Sequence, residues 1–247
     1  MERSLSNNIL SKLKVKYLFL AVAAAISIFP FVWIFIGSTN TSADITMGKM
    51  TLGTNFSENW ENLNKNGELL TVFWNTAKVT TITTVLSILV CALAGFGFEK
   101  YRSRATDIIY ALFLLSMMIP FAAQMIPLFK MMNAFNLIDK HLAIILPNIS
   151  MPFLIFFFRQ NFKAFPNELI EAARIDGLNE FQIFFKIVLP SMKSTVAAGA
   201  IYSFMKQWNN YLWPLIVLQT NQQKTLTLFI SSLSSAYYVD YGPLMLA

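Results

Sequence analysis

Cysteine, histidine and charge are what this 247-residue chain has least of. Its single cysteine, Cys91, lies inside an apolar run, so no disulfide framework can form within one chain, and the thiol reads as packing. A single histidine, His141, excludes a His-based metal cluster and a catalytic relay. Charged residues make up 13 % of the chain, and the acidic ones fall in polar loops or at the ends of apolar runs. That leaves no intramembrane carboxylate for ion coupling and no nucleophile and base for catalysis. No G-x-x-x-x-G-K-[ST] stretch occurs, and Gly95-Phe96-Gly97 is an isolated G-x-G inside an apolar run. The chain therefore reads as a non-enzyme with no bound cofactor and no metal, and any ATP involved belongs on another polypeptide.

What it has in abundance is apolar surface: 55 % hydrophobic and 15 % aromatic residues, with a mean hydropathy of +0.52. Charged clusters separate apolar runs of about 20 residues, the length that crosses a hydrocarbon core. The pattern predicts an all-α, polytopic transmembrane helical bundle forming a single transmembrane domain over 1–247. The net charge of +6 is then loop charge facing anionic lipid and cytoplasm, not a nucleic-acid footprint.

Five spans are predicted in order. The first runs from about Tyr17 to Gly37; it is too long for a signal peptide's apolar region and has no clear small-residue cleavage site after it. A polar external loop over 38–70, carrying Glu58, Glu61 and Glu68, separates it from a second span at about Val72–Phe98. That span opens on Trp74 and Asn75 and carries five threonines, whose hydroxyls serve helix packing or line a path. The third, about Ile108–Met131, holds Pro120 and Pro127 and should be kinked or broken; Gln124 lies between them. The fourth, about Leu142–Phe158, holds Pro147, Asn148 and Pro152 and should also be irregular. A fifth starts at Val188 or Ser191 and ends at Phe204 or Trp208, followed by Asn209 and an aromatic belt through Trp213. The amides Asn75, Gln124, Asn148 and Asn209 are the candidates for a solute path, since such groups at membrane depth face the bundle or a wet cavity.

Basic residues fix an orientation. Arg3, Lys12, Lys14, Lys16, Lys100, Arg102, Arg104, Arg159, Lys163, Arg174, Lys186 and Lys193 fall on one side. Lys49, Lys65, Lys78, Lys130, Lys140, Lys206 and Lys224 fall on the other or at outer span ends. The richer side is the cytoplasmic one, which places the N-terminus and residues 159–190 inside.

Within 159–190 lies a polar island. Pro166 and Asn167 supply a helix start, and Gly177 supplies a left-handed stop. Asn179 caps a second helix with Gln182 at the capping-box position, and Leu178 can staple onto Ile183. Phe181, Phe184, Phe185 and Val188 then form one apolar stripe. Ala172 and Ala173 keep the first helix low, so that another protein can approach, with Glu171, Arg174 and Asp176 left as charges.

The full pattern, Glu171-Ala172-Ala173, then Gly177, then Ile187-Val188-Leu189-Pro190, resembles the coupling loop of the membrane subunits of binding-protein-dependent ABC importers. Trp208-Asn209 through Trp213-Pro214-Leu215, with Met118-Ile119-Pro120 and Ile126-Pro127-Leu128-Phe129, is similar to the sugar-transporting, maltose-type branch. The resemblance implies a type I importer permease in the cytoplasmic membrane, which forms the path for a sugar or oligosaccharide delivered by an extracytoplasmic binding protein. It implies a dimer of ATPase subunits docking on Glu171, Ala172, Ala173, Arg174, Asp176, Gly177 and Leu178, and a second permease chain, expected to differ from this one. A permease for a non-sugar solute and a secondary transporter are the competing readings. Members of this kind have six spans; this chain reaches Ala247 where the last would begin, so a sixth span missing at the C-terminus is expected. The segment Thr225–Ala247, rich in serine at Ser231, Ser232, Ser234 and Ser235, is predicted to be a poorly anchored, mostly helical element lying at the interface.

Overall fold

The computed structural model describes residues 2–65, 69–234 and 239–247, with side chains from Lys14 onward. Glu68 and Ser235, and the side chains of Arg3 and Lys12, lie outside the described residues. No strand occurs among the described residues. In chain order the first helices are α1 (Glu2–Gly37), α2 (Ser42–Thr46), α3 (Phe56–Lys65), α4 (Leu69–Lys100) and α5 (Arg104–Ser116). Then come α6 (Phe121–Ala134), α7 (Leu142–Ile145), α8 (Pro152–Phe162), α9 (Asn167–Ile175) and α10 (Glu180–Ile183). The last are α11 (Leu189–Ser191), α12 (Lys193–Trp208), α13 (Leu212–Val217), α14 (Leu226–Ser234) and α15 (Tyr241–Leu246).

Among the described residues, three stretches are long and apolar enough to cross a membrane: Lys14–Gly37, Leu69–Lys100 and Leu142–Phe162. Two bent pairs raise the number to five if each is one span. Prolines explain the first pair. Pro120 has no N–H to donate and pushes Ile119 out of the helical region, so α5 stops at Ser116 and α6 restarts at Phe121, bent by 106°. Pro127 stays inside α6, so only one of the two prolines breaks the span. In the second pair the helical run Glu180–Ser191 meets α12 at 85° across Met192. The Leu142–Phe162 span is irregular as its prolines require, with a 3-10 turn at Leu146–Asn148 and Pro152 in the first turn of α8.

The chain divides into two compact units. The smaller comprises Met1–Leu69 and Ile230–Ala247. The loop between α1 and α4 is itself helical at α2 and α3, and α15 packs on α3 and on the end of α1. Buried Asn59 of α3 ties the layer together, donating to the carbonyls of Ser38 and Asn40 at 2.9 Å. Gly242 of α15 lies against that same amide, where a Cβ would find no room. The C-terminal segment is thus anchored, contrary to the expectation that it would be poorly held. Among its described residues no helix is long enough to span.

The larger unit, Leu70–Phe229, carries two buried clusters. In one, Cys91 and Phe96 of α4 pack with Leu154, Phe158 and Phe162 of α8 and with Ile183 and Phe184. These two helices meet at Gly95, where a Cβ would lie 2.8 Å from the Phe158 Cβ. In the other cluster, Val79 packs with Ile144, Val217 and Trp213, whose indole donates to the Ala143 carbonyl at 2.9 Å. Trp213 is 2 % exposed, so it is a core residue and not part of an interfacial belt. Thr76, Thr80 and Thr83 are buried on α4, and Thr76 accepts the Leu226 N–H at 2.7 Å, a packing role.

Asp139 holds the polar tip in place, accepting the N–H groups of Gln219 at 2.8 Å and Thr220 at 3.0 Å. Burial works to raise its carboxyl, but those backbone bonds outweigh it and keep the group below the ordinary carboxylate value. Next to it, burial lowers the His141 imidazole, with Nε2 3.1 Å from the Gln223 carbonyl.

Candidate functional site

Two features of the larger unit could carry function: a cavity beside the broken span and the bracket formed by α9, α10 and the turns that follow.

The bracket starts one residue earlier than the sequence suggests. Pro166 occupies the cap position with extended backbone, and Asn167 is the first helical residue. The Asn167 carboxamide oxygen instead accepts from the Lys100 ammonium at 2.7 Å, and Lys100 also donates to the Phe165 carbonyl at 2.9 Å, fixing α9 to the end of α4. Gly177 has φ +83°, the left-handed stop its position requires, and the Leu178 N–H returns to the Ala173 carbonyl at 3.0 Å. Asn179 and Gln182 form the reciprocal capping box, and Leu178 packs on the cluster that contains Ile183.

The expected apolar stripe is divided. Phe184 and Val188 are buried, whereas Phe181 is 70 % and Phe185 43 % exposed. A π-helical turn over Phe184–Val188 takes Phe185 out of 3.6-residue register, and in α10 before it Ile183 is buried where Phe181 is not.

On α9, Ile170 and Ala173 face the chain's own core, so the small side chain of Ala173 lets α9 approach its own bundle. Glu171, Ala172, Ile175 and Asp176 face outward, with Ile175 87 % exposed. Glu171 and Asp176 have no ion-pair partner among the described residues. Arg174 reaches across the glycine turn to Glu180 at 2.8 Å, and that hydrogen bond raises the guanidinium above its ordinary value. Both partners are well exposed, so the pair shapes the turn more than it stabilises it. A polar cleft of about 420 Å³ opens beside α9, lined by Lys100, Arg102, Lys163, Glu171 and Arg174 among others.

Behind the bracket sits an ion cluster that sequence reading placed only as loop charge. Arg159 of α8 is 4 % exposed and contacts Glu99 at 3.3 Å and Asp107 at 3.0 Å. Its guanidinium lies 3.8 Å from the centre of the Tyr110 ring. One side chain thereby joins α4, α5 and α8.

The cavity, about 640 Å³, lies where the α5–α6 break faces the α7–α8 span and the end of α12. Its polar lining is Ser116, Gln124, Asn148, Ser150, Lys206 and Asn210, and Phe121 and Phe153 supply aromatic faces. Gln124 bonds back to the Ile119 carbonyl at 3.0 Å, satisfying an acceptor that the Pro120 break leaves free. Asn148 donates to the Ile144 carbonyl at 2.8 Å. Each amide keeps its carboxamide oxygen for another partner. The other two candidate amides lie elsewhere. Asn75 is 6 % exposed and donates to the carbonyls of Gln222 and Lys224, at 2.7 and 3.2 Å. Asn209 donates to Met205 at the end of α12, and its neighbour Asn210 lines the cavity instead.

Lys206 lies in the last turn of α12, at the end of its span as the sequence reading had it, and it lines the cavity there. One turn before it, Ser203 shares a hydrogen bond of 2.7 Å with Ser87, which lies in the middle third of α4.

Comparison with known proteins places this architecture. The lactose transport system permease protein LacG of Rhizobium radiobacter is 51% identical over 232 residues, covering 94% of this chain and 85% of that protein. The arabinooligosaccharides transport system permease protein AraQ of Bacillus subtilis (strain 168) is 35% identical, covering 92% and 83%. The sn-glycerol-3-phosphate transport system permease protein UgpE of Rhizobium meliloti (strain 1021) is 29% identical, covering 86% and 78%. In fold, the chain is similar to a chain of a bacterial ABC transporter involved in the import of the acidic polysaccharide alginate, with a TM-score of 0.78 at 24% identity, covering 94% of this chain and 88% of that one. The family model described as binding-protein-dependent transport system inner membrane component matches residues 87–246, and with these relatives it establishes that the chain belongs to that family, the membrane permeases of ABC importers.

Proposed function

We propose that this permease forms the path for a sugar or oligosaccharide and is driven by an ATPase docked on its bracket. The observation that carries this reading is the cavity at the broken span. Its volume of about 640 Å³ falls in the range of small-molecule sites, and amides beside aromatic faces suit a polyhydroxylated solute. Relatives named for lactose and for arabinooligosaccharides support the same solute class. An extracytoplasmic binding protein delivers the sugar, and a second, different permease chain completes the path.

The bracket is the mechanical input. Glu171, Ala172, Ile175 and Asp176 present a low face with an apolar tip, and Arg174, Gly177 and Leu178 hold that face in shape. When two ATPase subunits close on ATP they draw the brackets together, and α8, joined to α9 by only a few residues, moves with them. The ATP site and the sugar path stay separate while one two-state element is biased by both, which is coupling in the thermodynamic sense.

Replacing Glu171 by alanine or Ile175 by aspartate is expected to leave the protein inserted but to weaken ATPase binding by about 2 kcal/mol, roughly thirtyfold, typical for an interface anchor. Copurification of the ATPase and uptake of radiolabelled sugar are the measurements. Wild-type levels of both would remove the docking role.

The excess of basic residues around 1–16, 99–104 and 159–193 supports a cytoplasmic N-terminus and a cytoplasmic bracket. In a Cys91→Ser background, a cysteine introduced at Asn64 should react with a membrane-impermeant thiol reagent on intact cells, and one at Asn179 should not. The reverse labelling would invert the topology.

A further inference from the structure

We infer that Lys206 reads charge in the path, and that the solute taken by the cavity carries a carboxylate or phosphate group. This rests on the cavity being the sugar path.

Three observations converge. First, Lys206, in the last turn of an apolar span, lines the cavity one turn beyond the Ser203–Ser87 hydrogen bond. An ammonium there is costly in a membrane, and side chains of this kind face a cavity and find a counter-charge. Second, it has none. No ion pair or hydrogen bond engages its ammonium among the described residues, whereas Lys49 pairs with Asp44, and Lys65 and Lys100 each donate to an oxygen. Third, no Asp or Glu lines the cavity. Asp139, in the α6–α7 connection, is occupied by the Gln219 and Thr220 N–H groups.

An ammonium has three donors and no acceptor, so its complement is a group that only accepts. Sugar hydroxyls satisfy it partly, by donating elsewhere while accepting from the lysine. A carboxylate or phosphate satisfies it fully and neutralises the charge, and a charge-assisted bond is about twice as strong as a neutral one. Gln124, Asn148 and Asn210 then bind the hydroxyls of the same molecule, so the charged substituent sets preference and the amides set orientation. Lys206 would thus be a specificity-determining residue of the path.

The test uses a matched pair of lactose derivatives, lactitol and the aldonate lactobionate, which share the opened glucose chain and differ by one carboxylate in place of a hydroxymethyl group. Binding of each is measured by calorimetry to the complete purified transporter in the absence of its binding protein. Wild type should prefer lactobionate by about tenfold or more, and the preference should shrink as salt rises. Lys206→Gln should abolish the preference, while Lys206→Arg should retain it in a protein that keeps the charge. Equal affinities in the wild type would overturn the inference and leave the sugar-path reading intact. Binding of neither sugar would remove both. An unchanged preference in Lys206→Gln, or loss of the second permease chain from that variant without any change in sugar preference, would assign the ammonium to subunit pairing and overturn the inference as well.

Discussion

A leucine in place of Gly95 is expected to abolish the folded permease. A Cβ at this position would lie 2.8 Å from the Phe158 Cβ, 2.9 Å from the Arg159 backbone nitrogen and 3.2 Å from the Ile155 carbonyl oxygen. None of those atoms belongs to the movable end of a side chain, so α8 itself would have to back away from α4. Doing so would open the cluster of Cys91, Phe96, Leu154 and Phe158 and pull Arg159 off Glu99. The cost should exceed the 1–3 kcal/mol of ordinary overpacking. Gly97 provides the control. It lies two residues on in the same helix, with nothing within 4 Å of its added Cβ, so Gly97→Ala should be neutral or gain up to about 1 kcal/mol from helix propensity. Size-exclusion profiles of fluorescent fusions distinguish the two: the Gly95 variant should lose its monodisperse peak and the Gly97 variant should keep it. Equal profiles would show that the α4–α8 contact is looser than the structure has it.

Arg159→Ala should carry the second large effect. Removing the guanidinium strands Glu99, whose side chain is only 11 % exposed, and a half-broken buried pair typically costs about 3–5 kcal/mol. The bond to Asp107 adds little, because that carboxylate is 52 % exposed. Arg159→Lys should recover only part of the loss. A lysine keeps the charge, but it cannot present a planar fork to two carboxylates while stacking on Tyr110. Thermal unfolding in detergent should rank wild type above lysine and lysine above alanine. A lysine variant as stable as wild type would show that charge alone suffices and that the stacked fork contributes nothing.

Both effects depend on contacts between residues far apart in the chain, which is why neither was legible beforehand. Gly95 reads as half of an isolated G-x-G, and nothing in its neighbourhood says that Phe158 crosses there. Arg159 counts toward loop charge because it follows an apolar run, and only the packing of three helices turns it inward. Local signals fared better. The capping box of Asn179 and Gln182, the left-handed Gly177, the break before Phe121 and the irregular span around Pro147 and Pro152 all formed where their residues predicted. Each is fixed by a few adjacent backbone torsions and hydrogen bonds, so the information lies within one turn of the chain. The stripe failed at Phe185 for the complementary reason: a periodicity argument assumes 3.6 residues per turn, and a single π turn breaks it.

By itself, the sequence determined the membrane class, the approximate limits of the apolar stretches, the bracket and its glycine turn, and the absence of catalytic chemistry. These follow from transfer energy summed along the chain and from short-range backbone sterics. The tertiary structure alone decided which polar groups share a space. It joined Gln124, Asn148 and Lys206 in one cavity, sent Asn75 to cap a loop and turned Ala173 toward its own core. The placements of Gln124 and Lys206 follow the 106° and 85° bends, which set where one helix meets another. A bend redirects every residue after it, and its angle is fixed by packing against helices distant in the chain, so residue spacing along the sequence carries no record of it.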